Sequence, residues 1–266
     1  METYLPSSPP KVAPFARALT LLGTFTPERR WLGASDLAEC TGIPVSTTKR
    51  LAQSLLQLGY LCHDPLRRKY RLSPSVLMLG YAAQDNPVDL HTSQAHMQGF
   101  AEQQGLHVNL SSRDRLDLVV LQSYGDTRDL PATGFHVGAR VSIAESPLGW
   151  TLLASIPEME SNYLLEQMAN RAPRGWSHLR KRFRQAIVEV KAQGFCSSLS
   201  ESGYAMDVIA APLRTAEGRP QVLACATPWG MMSRARVERV LGPRLLAMAA
   251  SIELDSRRHT GIRHAR

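Results

Sequence analysis

Apolar positions recur at steps of three and four through the first third of the chain, then shift toward steps of two. Phe15, Ala18, Leu19, Leu22 and Phe25 share one face of a helix expected over residues 12–25, and Pro27 with Arg29-Arg30 marks its end. Trp31-Leu32 reads as a short strand. Residues 35–60 read as two short helices joined by a tight turn. Ser35 is the expected cap of a helix over 36–40, with Glu39 completing the pattern. Thr41-Gly42-Ile43 is the turn: Gly42 can take the left-handed backbone that ends a helix, and Ile43 can enter a core. The second helix carries Leu51, Leu55, Leu56 and Leu58 as an apolar stripe and stops at Gly59. Its start, Ser46-Thr47-Thr48-Lys49-Arg50, is polar and basic. That division suits a helix with one end in a nucleic-acid groove and the other in a core.

Residues 60–63 and 69–72 then read as strands, turned at Asp64-Pro65 and tipped by Arg67, Arg68 and Lys69. A basic hairpin directly after such a helix is a wing. Ser73-Pro74 opens another helix, broken at Asp85-Asn86-Pro87, where a domain boundary is expected. A helix over about 88–104 follows and stops at Gly105. Beyond it, 107–111 and 116–124 read as strands around a turn at Arg113-Asp114, with another at 140–144. Helices are expected at 148–155, 159–169 and 178–193. Strands at 195–198, 206–213 and 221–227 follow, and a last helix at 233–252. The expected class is α+β, with helices grouped around a sheet. The expected layout is a leader (1–11, rich in Pro and Ser), a DNA-binding unit (12–72), a linker helix (73–87), a second domain (88–256) and a basic tail (257–266).

Charge sharpens this division. The 266 residues carry a net +8. Residues 1–80 hold ten basic and five acidic side chains, 81–256 hold seventeen and eighteen, and the last ten hold four Arg and no acid. The excess sits on the first unit and the tail, which points to a polyanion partner there and a near-neutral second domain. Cys40, Cys62, Cys196 and Cys225 lack the C-x-x-C spacing of a metal or redox site, and reduced thiols in a cytoplasmic protein are the expectation. No apolar run approaches the length of a membrane span. No G-x-S-x-G elbow appears, and His91 and His96 are five apart, wrong for a same-face metal pair. His107 is expected as a half-buried imidazole rather than a ligand. No enzyme activity, cofactor or metal is therefore expected. Two other readings stay open: a winged helix that binds a protein instead of DNA and, further off, a small-molecule hydrolase.

Several segments together resemble the IclR family of bacterial transcriptional regulators. They are ARALTLLGTF, then DLAECTGIPVSTTKRLAQSLLQLGYL, then the wing ending KYRLSPSVLMLG. The second half adds ESPLGWTLLA, then GF with Glu201 downstream, then VIAAPLRTAEGRPQVLACAT. The resemblance covers about residues 13–255. It implies an N-terminal winged helix-turn-helix, a linker helix and a C-terminal GAF-like effector-binding domain with a mainly antiparallel sheet. It also implies a homodimer or homotetramer on a pseudo-palindromic double-stranded operator, modulated by a small organic acid. Trp150 and Ala205 depart from the Lys or Arg and the Gly frequent at those family positions.

The expected DNA-binding residues are Ser35, Ser46, Thr47, Thr48, Lys49, Arg50, Arg67, Arg68 and Lys69. Hydroxyls can meet base edges or phosphates, methyls can touch thymine, and cations can reach phosphate or guanine. For Ser46, capping and phosphate contact both remain open. For the effector, the resemblance implies a pocket lined by Leu130, Thr133, Val141, Pro147, Leu148, Gly149, Ser198, Met206, Val208, Cys225 and Thr227. The set is apolar with a few hydroxyls and amides, which suits a hydrophobic body with one anionic group. The bulk of Trp150 inclines the expectation toward an aromatic or bulkier acid. The exposed Leu77/Tyr81 face of the linker helix is the expected self-association surface.

Overall fold

The computed structural model describes residues 12–82, 87–126, 136–171, 176–199, 206–215 and 218–264, of which 87–92 and 259–264 are described by backbone alone. The chain forms two compact units, Met1–Asp85 and Asn86–Arg266.

The first unit contains α1 (Ala13–Leu22), β1 (Leu32–Gly33), α2 (Ala34–Thr41), α3 (Val45–Gln57), β2 (Leu61–Asp64), β3 (Lys69–Leu72) and α4 (Ser75–Ala82). Its three strands pair antiparallel in the order β1-β3-β2. Leu21, Leu32, Leu37, Ala52, Leu55 and Leu61 form the core, with Ala18, Leu22, Phe25, Leu51 and Tyr70 packed on it. α1 stops earlier than its apolar pattern suggests, at Gly23, and buries Leu21 while Phe15 and Leu19 stay exposed. The pattern offered two overlapping apolar stripes, and packing against α3 chose the one through Leu21.

The cap of α2 also differs from expectation. Gly33 is the N-cap in extended backbone, and its N–H donates to Asp36 Oδ2 at 2.9 Å. Ser35 therefore lies inside the first turn, and Asp36 takes the role expected of Glu39. Gly42 ends α2 with φ of 68°. α3 begins one residue before Ser46, with Pro44 as its N-cap. Its buried stripe is Thr48, Ala52 and Leu55, and Leu56 and Leu58 point outward. β2 and β3 form the wing, with His63 stacked beside Tyr70 at 4.8 Å.

The second unit is built on six antiparallel strands in the order β6-β5-β4-β9-β8-β7. They are β4 (His107–Asp114), β5 (Asp117–Tyr124), β6 (Arg140–Ser142), β7 (Cys196–Ser198), β8 (Met206–Arg214) and β9 (Pro220–Pro228). β4 and β5 run past the expected turn and reverse at Arg115, whose φ is 60°. Helices cover both faces. α5 (Pro87–Gln104) and α10 (Gly242–His264) pack on one, burying Met97, Phe100, Leu110, Ile209, Cys225 and Leu245. α6 (Pro147–Ser155) and α8 (Trp176–Gln193) pack on the other, over Leu118, Leu148, Phe183, Val208 and Ala224. α7 (Glu158–Arg171) lies between them in sequence, and a short turn, α9 (Arg234–Arg236), precedes α10.

The last helix is longer than expected and irregular, since Val237–Leu241 forms a π turn. Pro243 follows after Gly242. A proline inside a helix removes one ladder bond and crowds the carbonyl four residues back, and the wider turn accommodates it. At the junction, a side chain on Gly242 would meet the Phe195 ring at 2.2 Å, so only glycine lets the helix lie this close to the sheet.

Candidate functional site

The recognition surface is set by the phase of α3. Burial of Thr48, Ala52 and Leu55 turns Ser46, Lys49, Arg50 and Gln53 outward, at steps of three and four along one side. Thr47 is half-buried at the edge of this side. Lys49 and Arg50 make no ion pair among the described residues. Thr48 is fully buried, and its hydroxyl donates to the Ile43 carbonyl at 3.3 Å. It has no surface to offer a base and fastens α3 to the preceding turn instead. Ser35 is exposed in the first turn of α2, where free backbone N–H groups favour an anion. Gln53 was missed. Its spacing to Ser46 and Arg50 is the readable signal, but a helix phased on Leu51, Leu56 and Leu58 hides it.

At the wing, Arg67 and Arg68 are exposed and Lys69 is half-buried. Arg67 approaches Asp64 at 3.6 Å while remaining largely exposed. A pairing this open is weak and leaves the guanidinium available to phosphate.

In the second unit the expected pocket residues divide between the two faces of the sheet. Leu148, Val208, Val141 and Met206 belong to the α6/α8 side. Ser198 pairs with Val208 across the ladder and joins them. Cys225 lies in the other core, against α5 and α10, and Thr227 shares its parity along β9. Neither can line the same pocket as Val208. Burial pushes the Cys225 thiol well above its ordinary pKa, and burial, then the nearby Glu189 carboxylate, do the same for Cys196. Both are packing groups rather than nucleophiles. Leu130 and Thr133 lie outside the described residues, as do Glu201 and Ala205.

The first turn of α6 is closed to a ligand at Gly149. Its N–H donates to the Ser146 hydroxyl at 3.1 Å, which caps the helix. A Cβ there would lie 2.2 Å from the Ile143 carbonyl oxygen, so glycine serves close packing. Pro147 and Leu148 are buried in the same turn. Trp150 is also absorbed by packing. Its indole N–H donates to Ala144 O at 2.8 Å, and the Arg182 guanidinium lies 5.0 Å over the ring. Its bulk gives no support to an aromatic effector.

What the α6/α8 face does offer is a row of buried polar side chains on β4. His107, Asn109 and Ser111 are all buried, and the ladder places them on the same side as Ala226, Ala224 and Val222. Register aligns Ser198, Val208, Ala226 and His107 across four strands. His107 Nε2 lies 3.3 Å from the Ser123 hydroxyl, and the Ser111 hydroxyl donates to Asn109 Oδ1 at 3.3 Å. Asn109 Nδ2 and the Ser198 hydroxyl are buried with no hydrogen-bond partner among the described residues. Buried polar groups are nearly always satisfied, so each unmet donor can take a ligand acceptor, but Asn109 on β4 and Ser198 on β7 are three strands apart and are separate points. Polar residues at alternate positions read in sequence as a solvent face; the helices over this side bury them. Two surface concavities lie elsewhere, about 620 Å³ beside Glu158, Tyr163 and Glu166, and about 210 Å³ beside Val188, Ser197 and Arg234.

A winged helix-turn-helix joined to a separate sheet domain with a buried polar face defines a DNA-binding regulator of the sensor type. Family models agree in both halves: the IclR helix-turn-helix domain matches residues 15–65, and the bacterial transcriptional regulator IclR C-terminal domain matches 87–254. The chain belongs to the IclR family, whose members are transcriptional regulators and not enzymes. It is 27% identical over 244 residues to the HTH-type transcriptional regulator TsaQ1/TsaQ2 of Comamonas testosteroni, covering 91% of this chain and 87% of that one. It is 26% identical to the Pca regulon regulatory protein of Pseudomonas putida, covering 89% and 81%. Among solved structures, an IclR family regulator from Brucella abortus superposes with a TM-score of 0.72 at 32% identity, covering 91% of this chain and 92% of that one. The fold is also that of an IclR homolog from Microbacterium hydrocarbonoxydans, solved with 4-hydroxybenzoate, at a TM-score of 0.71 and 20% identity over 92% and 99%.

Proposed function

We propose that this chain binds a pseudo-palindromic operator as a homodimer or homotetramer in the cytoplasm and is modulated by a small aromatic carboxylic acid. The observation that carries the DNA part is the outward side of α3. Ser46, Lys49, Arg50 and Gln53 present one hydroxyl, two unpaired cations and one carboxamide beside a cationic wing. Arg and Lys read guanine and Gln reads adenine in the major groove, while Ser35 and Thr47 anchor phosphates and Arg67, Arg68 and Lys69 meet phosphate or the minor groove. One such head reads half a site, so a paired assembly is needed for specificity. The apolar, unburied face of α4 (Leu77, Tyr81) supports pairing through a second copy. No helix among the described residues is long and apolar enough to cross a membrane.

The effector reading rests on Asn109 Nδ2, a buried donor standing between His107 and Ser111 on the α6/α8 face. A carboxylate would accept from Asn109 Nδ2 without an arginine, and its apolar body would extend over Ala224 toward Val208. The aromatic class takes its support from the 4-hydroxybenzoate bound by the M. hydrocarbonoxydans homolog. Titration calorimetry against benzoate, 4-hydroxybenzoate and aliphatic acids of equal charge tests it. Binding of an aromatic acid, lost in Asn109→Leu, is the expected result. Binding restricted to the aliphatic set would overturn the aromatic class. For DNA, a gel shift on the promoter region of its own gene with heparin competition should give a specific complex.

A further inference from the structure

The wing tip carries a side chain that phosphate binding leaves unused. Leu66 is 97% exposed. A solitary surface leucine is ordinary, but this one does not sit on a loose loop. Its N–H donates to Asp64 Oδ1 at 2.9 Å, and the Arg67 N–H donates to the same oxygen at 3.1 Å. Pro65 fixes the backbone between them. The ladder closes at Asp64 opposite Lys69, so the turn is tied at its base. Arg68 holds φ of 52°, a left-handed backbone uncommon outside glycine, and Arg67 and Arg68 are both exposed. The tip is thus a fixed apolar point followed by two guanidinium groups.

That composition suits the minor groove of DNA. A narrow minor groove draws arginines by its negative potential, and an apolar side chain carried in with them can enter between base pairs and kink the duplex. A phosphate-binding turn needs only the cations. We propose that Leu66 is an apolar wedge that enters the minor groove beside the site read by α3 and partly unstacks one base step. The proposal rests on the operator-binding reading given above. It also predicts sequence preference without a base hydrogen bond. Flexible pyrimidine–purine steps should be favoured at the wedged position, because they unstack most easily.

The test uses full-length protein and a duplex enriched by it from a random library, end-labelled for energy transfer and scanned with 2-aminopurine at the flanks. The wild-type protein should bend the duplex and raise 2-aminopurine fluorescence at one step on each side. Leu66→Ser should abolish both signals and weaken binding about tenfold. It should leave the salt dependence unchanged, because no phosphate contact is lost. Leu66→Met should restore bend and fluorescence. A Leu66→Ser protein with full bend, fluorescence and affinity overturns the wedge alone. A library that yields no enriched sequence overturns the operator reading and the wedge with it.

Discussion

Thr48 and Arg50 stand two positions apart on α3 and do opposite work. The threonine is buried with its hydroxyl on Ile43 O, whereas the arginine is exposed on the outward side. Arg50→Ala should therefore weaken operator binding by about 1–3 kcal/mol and relax one base position. Thr48→Val should instead cost about 1 kcal/mol of stability, from the unmet carbonyl, and leave base preference intact. Urea melts and a binding-site selection on both variants separate the two roles, and a changed preference in Thr48→Val would sink the division. The buried thiols make a second claim at this scale. An unfolded cysteine titrates near 8.5, while Cys196 and Cys225 hold their protons well above that in the fold because burial disfavours the thiolate. The folded state then binds more protons at alkaline pH. The stability from this source is whole below about pH 8.5 and falls as pH rises through and above it. Denaturation midpoints between pH 7.5 and 10 should decline, with a shallower decline in Cys225→Ala.

At the scale of elements, the wing and α6 show how local chemistry is overruled or kept. The wing hairpin behaves as its sequence implies, with a Pro-containing turn and cations at the tip. Replacing Arg67 and Arg68 together with Ala should weaken binding to all duplexes alike. It should also flatten the plot of affinity against salt by about one unit of slope per lost phosphate contact. Anisotropy titrations across salt read this directly, and an unaltered slope would show that the two cations only solvate the turn. α6 is the opposite case. Its Pro-Leu-Gly start resembles an anion-binding helix end, yet the Ser146 hydroxyl takes the Gly149 amide and Ile143 leaves no room beside it. Only the placement of the preceding segment reveals that, because the capping serine lies outside the apolar run that marks the helix.

At the scale of the molecule, the two units divide the labour that the charge distribution implies. The basic unit presents its cations on α3 and the wing, and the near-neutral unit buries polar groups on both faces of a covered sheet, His107, Asn109 and Ser111 on one and Asp207 and Thr227 on the other. α4 buries none of its residues, and Leu77, Met78 and Tyr81 are exposed. On the operator-binding reading proposed above, this face pairs with a second copy. Leu77→Asp with Tyr81→Asp should lower the mass seen by light scattering and weaken operator binding more than half-site binding. An unchanged mass would move the self-association surface elsewhere. Coupling between effector and DNA then requires that the ligand prefer one arrangement of the paired units.

Periodicity and residue chemistry alone determined most of the plan. The helices and the wing follow from 3.6-residue and two-residue patterns with Gly, Pro and Ser at their ends. So does the assignment of Ser46, Lys49 and Arg50 to an exposed, basic helix start. These are short-range properties, settled within one or two turns of chain. Which face of an element is buried is a different question, because it depends on what arrives from elsewhere in the sequence. Packing of α1 on α3 chose Leu21 over Phe15 and Leu19, and Thr48 is buried with its hydroxyl on the turn before α3. Ladder register put Cys225 and Thr227 on the side away from Val208. A second helical layer covered His107, Asn109 and Ser111, turning what looks like a solvent face into a polar interior. Only tertiary structure decides such things, since the same alternating pattern is satisfied by water or by a ligand until the opposite layer is in place.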